Sequence, residues 1–160
     1  MYSIMKEHTY ESTIIWTGNK GTGTSDYAAY GREFTLRIPN KPDLLCSADV
    51  PFRGDKTKHN PEDFFLASLS SCHMLWYFHL CADAGIQVVS YTDEPIGKMI
   101  QDPNGGRFTA VTLRPKVVIT DPEKIELANN LHREANKQCF IANSCNFPVH
   151  HEPHCSANAS

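Results

Sequence analysis

Residues 60–85 read NPEDFFLASLSSCHMLWYFHLCADAG, and this stretch decides the fold. Asn60 is a good helix N-cap, Pro61 suits the first helical position, and Glu62 and Asp63 favour the positive end of the helix dipole. No proline or glycine follows until Gly85, the residue type that ends helices in the left-handed conformation. The spacing predicts one long helix over residues 61–84. Its apolar residues, among them Phe65, Leu69, Leu75, Trp76 and Phe78, point to every face. A helix apolar all round is expected to be enclosed by protein on all sides, as the hub of the fold.

Shorter elements flank this helix. Residues 13–16 and 34–38 read as strands, the second alternating apolar with polar until Pro39 stops it. The glycine-rich segment 18–23 between them lacks the Gly-Lys-Ser/Thr ending and following helix of a phosphate cradle, so it reads as a hairpin turn. Residues 87–92 and 108–120 are expected strands, with a turn at Asn104-Gly105-Gly106 before the second. Asp121 caps a second helix with Pro122 at its first position, and Ile125, Ala128, Leu131 and Ala135 recur at helical spacing. Cys139 falls at or just past the end of that helix, residues 143–146 turn the chain, and residues 147–149 look like a short edge strand. This order of elements is α+β, with a single domain over residues 1–155 and a frayed tail over 156–160.

Composition narrows the function. The chain has 160 residues, 41% of them hydrophobic, enough to bury a core. Fifteen basic residues against 18 acidic ones give a net charge of −3, and no basic block draws the chain to nucleic acid or an anionic membrane. Residues 64–84 are too often interrupted by serine, histidine and aspartate to span a membrane. Residues 1–10 have no apolar run of the kind a signal peptide needs. Six cysteines without such a signal point to the cytoplasm, where thiols stay reduced.

The cysteines sort by context. Cys46 and Cys155 read as incidental, and Cys81, among apolar neighbours, as a small hydrophobe. Cys72 differs, because it sits mid-helix among Ser68, Ser70, Ser71 and His73, polar groups that need partners or a function on a buried helix. A plain core thiol remains the other reading of it. Cys139 and Cys145 lie on a second element. Thiols on separate elements suit a pair in which one thiolate attacks an O–O bond and the second condenses with the resulting sulfenic acid.

The run Asn60-Pro61-Glu62-Asp63 through Ser70-Ser71-Cys72-His73, with Cys139 on the later helix, resembles the OsmC/Ohr family, the osmotically inducible and organic hydroperoxide resistance proteins. The resemblance implies antiparallel sheets wrapped around a long central helix in an interlocked homodimer, with active sites at its interface. It implies that Cys72 is the peroxidatic cysteine, that Cys139 is the resolving one, and that Glu62 works with an arginine. For that arginine Arg53 is the first candidate and Arg32 the second; Lys20 stands where one branch of the family has its arginine, and Phe140 replaces the proline that usually follows the resolving cysteine. These departures mark a distinct subgroup. The implied activity is thiol-dependent reduction of organic hydroperoxides, without a cofactor, recycled by an external dithiol that in the family can be a lipoylated protein.

Physical constraints accompany this picture. A free thiol with a pKa of about 8.5 is mostly protonated at neutral pH, so a guanidinium beside the sulfur would help, and the helix dipole fades within about one turn. Ten residues of straight helix separate Glu62 from Cys72 by roughly 15 Å of rise, so either the helix bends sharply or Glu62 serves the cysteine of a second subunit, as the interlocked homodimer that the resemblance implies would have it. Otherwise Glu62 is a plain first-turn acid, and Arg53 a solvated loop arginine. His73 and His79, six residues apart, point in directions about 120° apart and cannot chelate one metal ion; each reads as a hydrogen-bonded core histidine. The His150-His151-Glu152-Pro153-His154-Cys155 run reads as an adventitious surface metal binder, not a structural site. Two other functions fit the same architecture. One is a non-catalytic dimer with a hydrophobic pocket for an apolar small molecule, and the other, more remote, is an acyl-thioester hydrolase using Glu62 or Asp63.

Overall fold

The computed structural model describes residues 6–158. Its contacts divide into two compact units, one up to Phe64 and one from Phe65 onward. In the first, β1 (Thr13–Trp16), β2 (Phe34–Arg37) and β3 (Leu44–Cys46) form an antiparallel sheet in that order. The long β1–β2 connection folds back on itself. Gly31 N donates to Gly18 O at 2.8 Å, and a Cβ on Gly18 would sit 2.1 Å from Gly31 O, so only glycine fits there. The amides of Gly21 and Gly23 both donate to Asn19 Oδ1, at 2.9 and 3.1 Å, so the loop closes on its own side chain where a phosphate cradle would leave such groups open. After β3, Asp49 accepts from Val50 N and caps a short 3-10 turn that ends at Arg53.

The long helix α1 (Pro61–Asp83) begins and ends where the sequence predicts, to within one residue. Asn60 and Asp63 cap it reciprocally: Asp63 N donates to Asn60 Oδ1 at 2.8 Å and Asn60 N to Asp63 Oδ2 at 3.1 Å. At the other end Gly85 takes φ 64°, with Ile86 N bonded to Cys81 O and Gly85 N to Ala82 O, the paired bonds of a Schellman stop. Enclosure on all sides does not follow. Only Leu69, His73, Tyr77 and Cys81, spaced by four, are buried, whereas Leu75 is 62% exposed. The two apolar cores of this unit, around Tyr77 and around Leu69, both centre on that one stripe.

The rest of this unit consists of two three-stranded sheets, α2 (Ile125–Gln138) and the short α3 (Phe140–Asn143). One sheet is ordered β4-β7-β9 (Val88–Asp93, Pro115–Ile119, His154–Ala157), the other β5-β6-β8 (Ile96–Asp102, Gly105–Leu113, Val149–His151). The β4–β7 and β5–β6 pairs are antiparallel as expected, but β8 and β9 add in parallel. Parallel addition suits strands that return after a helical crossover such as α2.

Several expectations are corrected. The predicted strand 108–120 is two strands in two different sheets, broken at Arg114, whose N–H donates to Asp93 Oδ1 at 2.6 Å. Asp121 caps a 3-10 turn, Pro122–Lys124, before the α-helix proper starts. Ser156 and Ala157 pair with β7 instead of fraying, and Cys155, in β9 opposite Val117, is buried in the core. Residues 159–160 of the expected tail and residues 1–5 of the N-terminal stretch lie outside the described residues. Among the described residues no helix is long and apolar enough to cross a membrane.

Candidate functional site

Cys72 lies on α1, half-buried, one turn beyond Ser68. The three serines beside it are all satisfied. Ser68 Oγ donates to Phe65 O and Ser71 Oγ to Ala67 O, both at 2.7 Å, while Ser70 Oγ donates to Asp93 Oδ2 on β4 at 2.5 Å. The serines therefore serve the helix and its sheet.

Cys139 occupies the joint where α2 ends and α3 begins, and its Sγ accepts from Ala142 N at 3.4 Å as the cap of α3. It is 1% exposed. Burial pushes its thiol pKa up to about 11; the amides of Ala142 and Ile141 oppose that rise, and the thiol of Cys72, its side-chain partner, adds to it. The two thiols, 67 positions apart, are thus close enough for Cys72 to act on the titration of Cys139, one half-buried and the other sealed. Cys145, the other resolving-thiol candidate, lies just past α3 and is turned back to it, its Sγ–H donating to Ile141 O at 3.2 Å, and packs against the Leu69 core.

An apolar face borders the thiol pair. Leu75 and Trp76, one turn on from Cys72, line with His79 an open cleft of about 260 Å³. Phe140, next to Cys139, is 63% exposed and meets the Trp76 ring edge-on at 5.5 Å between centroids. Leu69 belongs instead to the buried core beneath. His79 is exposed, 3.6 Å from Asp83, and not a core histidine as its position in an apolar helix suggests. Larger clefts of about 580 and 450 Å³ lie in the first unit, and neither is lined by Cys72 or Cys139.

The charged candidates all belong to the unit that ends at Phe64. Glu62 is half-buried in the first turn of α1. Arg53 is exposed in the left-handed region, φ 65°, and among the described residues makes no ion pair. Arg32 is held by its own loop, its guanidinium 4.3 and 4.0 Å from the centroids of Tyr27 and Tyr30 and donating to both of their carbonyls. Among the described residues no three His, Cys, Asp or Glu side chains converge as a metal site.

His73 is the hydrogen-bonded core histidine that its place on α1 predicts, but its partner escapes sequence reasoning. His73 and His132, each 1% exposed, meet through His73 Nε2 and His132 Nδ1 at 2.9 Å, and the column of rings continues to His151 on one side and Tyr77 on the other. Burial holds both His73 and His132 down at about 3, with the neighbouring histidines adding to the shift. A signal for His132 exists in hindsight: it lies four residues after Ala128 and three before Ala135, on the buried stripe of α2.

A family model described as OsmC-like protein matches residues 54–153. Among solved structures, the chain is similar to an OsmC-like protein of unknown function from Vibrio cholerae, 30% identical, with 92% of this chain and 100% of that one covered and a TM-score of 0.82. It is also similar to an organic hydroperoxide resistance protein from Elizabethkingia anophelis (18% identity, 97% and 100% covered, TM-score 0.68) and to OhrB of Bacillus subtilis (18%, 93% and 98%, 0.63), likenesses that show the fold alone. No curated protein sequence matches significantly.

Proposed function

The chain is a member of the OsmC-like family, and from that premise we propose that it is a thiol peroxidase that reduces organic hydroperoxides to alcohols. The Cys72 thiolate attacks the terminal peroxide oxygen; the O–O bond breaks, Cys72 becomes a sulfenic acid, and the alkoxide takes a proton and leaves as the alcohol. Cys139 then displaces hydroxide from the sulfenic sulfur, its thiol proton leaving with that hydroxide as water, and an intramolecular disulfide forms. An external dithiol restores both thiols; in the family it can be a lipoylated protein. A cytoplasmic, reducing setting suits this cycle.

What supports the reading most is that Cys72 on α1 and Cys139 at the end of α2 are near enough for one thiol to act on the other. The apolar face of Leu75, Trp76 and Phe140 beside them favours a hydrocarbon-bearing peroxide over hydrogen peroxide. In this proposal two copies form a homodimer that covers this face. Glu62, some ten residues along the unbroken α1 from Cys72, acts there with Arg53 on the second copy's thiol. Arg32 is the weaker candidate, because Tyr27 and Tyr30 already hold it. The same exposed cleft supports a second reading, a binding dimer for an apolar small molecule. Thioester hydrolysis gains less support, since the Asp63 carboxylate is engaged in capping α1. Cumene hydroperoxide consumption with dithiothreitol as reductant separates these readings. Wild type should turn over and Cys72→Ser should fall to the rate without protein, whereas equal rates would end the peroxidase reading.

A further inference from the structure

The histidine column has a cost that a plain core would not carry. His73 Nδ1, His132 Nε2 and His151 Nε2 are buried without hydrogen-bond partners, and phenylalanine or leucine would fill the same space with no polar atom left unmet. What the imidazoles add is one directional bond, His73 Nε2 to His132 Nδ1, between α1 and α2. His73 directly follows Cys72, and His132 lies two turns before Cys139 on the helix that Cys139 terminates. An apolar contact tolerates sliding and rotation of one helix on the other; a bond at 2.9 Å with a fixed donor direction does not.

We propose that the His73–His132 hydrogen bond is a positioning device for the thiol pair, fixing the register of α2 on α1 and so the approach of Cys139 to Cys72 during disulfide formation. This rests on the peroxidase reading and deepens it. The step concerned forms the S–S bond and breaks the S–O bond of the sulfenic acid, releasing water, and needs no further reactant. The bond requires one ring proton between the two facing nitrogens. Its surroundings keep the pair neutral: Tyr77 on α1 stacks on His132, and His151 on β8 stacks on His73. Asp93 on β4, beside Tyr91, and His150 on β8 act on His151. His73 and His132 are thus positioning residues, acting on the reaction only through the sulfurs.

The test compares wild type with His132→Phe, which keeps an aromatic ring against Tyr77 but removes the bond, and with His132→Asn, whose amide can reach the Nδ1 position. Reduced protein is mixed with one equivalent of cumene hydroperoxide, and sulfenic acid and disulfide are followed separately by quenched mass spectrometry. In His132→Phe, sulfenic acid should form within twofold of the wild-type rate while the disulfide forms at least tenfold more slowly, and His132→Asn should recover most of that loss. Equal slowing of both steps, or an unchanged disulfide step in folded His132→Phe, overturns the proposal. If His132→Phe does not fold by circular dichroism, His73→Phe against His73→Gln makes the same comparison from the other ring. If wild type itself ignores the peroxide, the peroxidase reading fails, and the positioning role is read from the Cys72–Cys139 couple in a glutathione titration. There a tenfold weaker disulfide raises the potential by about 30 mV, and an unchanged potential overturns the role.

Discussion

The two long faces of α1 invert the usual arrangement. Its buried stripe, Leu69, His73, Tyr77 and Cys81, carries an imidazole, a phenol and a thiol, while the neighbouring face shows Cys72, Leu75, Trp76 and His79, with large apolar groups in the open. Polar groups inside tend to be kept for specificity, and an exposed apolar patch marks a surface that binds something. In the proposed function the inner face holds the two helices in one register, and the outer face is the part that would meet substrate and a second copy.

The largest expected effect is on the inner face. Tyr77→Ala removes a fully buried ring stacked on His132 and should cost about 3–5 kcal/mol in urea unfolding; a loss under about 1 kcal/mol would mean that the stripe is not the core contact described. Acid should act on the same face. The folded pKa of His73 and of His132, about 3, lies below the ordinary value of 6.5, so the unfolded chain takes up protons first. Stability should be complete above pH 6.5 and fall as the pH drops toward 3, by up to about 1.4 kcal/mol per pH unit for each histidine. Replacing both by phenylalanine should flatten that slope in urea unfolding across the same window; an unchanged slope would shift its origin elsewhere. Gly85→Ala places a Cβ at φ 64° and should cost about 1 kcal/mol, with an unchanged urea midpoint as the contrary result. The smallest effect belongs to the outer face: Leu75→Ser should change the stability of the isolated chain by less than about 0.5 kcal/mol while raising KM for cumene hydroperoxide. A large loss of stability with an unchanged KM would erase the contrast between the faces.

What the sequence showed follows the range of the forces involved. The start and stop of α1 depend on Asn60, Pro61 and Gly85, whose effects are local, and they were legible to within a residue. The two thiols were visible from their placement on separate elements and from the resemblance. The break at Arg114 was not, because apolar alternation continues through it and the group that draws its amide away, Asp93, sits 21 positions earlier. Nor was the place of His132, since it stands between Leu131 and Arg133 on a helix with a broad exposed face and its partner is 59 positions away. The open outer face ran against expectation because helix-wide hydrophobicity does not say which of its faces one chain covers.

The account stands on the partnership of Cys72 and Cys139. Reduced protein treated with slightly more than one equivalent of organic hydroperoxide, digested under acid and mapped by mass spectrometry, should yield a Cys72–Cys139 disulfide as the principal new link. Six unchanged thiols, or a link that bypasses Cys72, would contradict it.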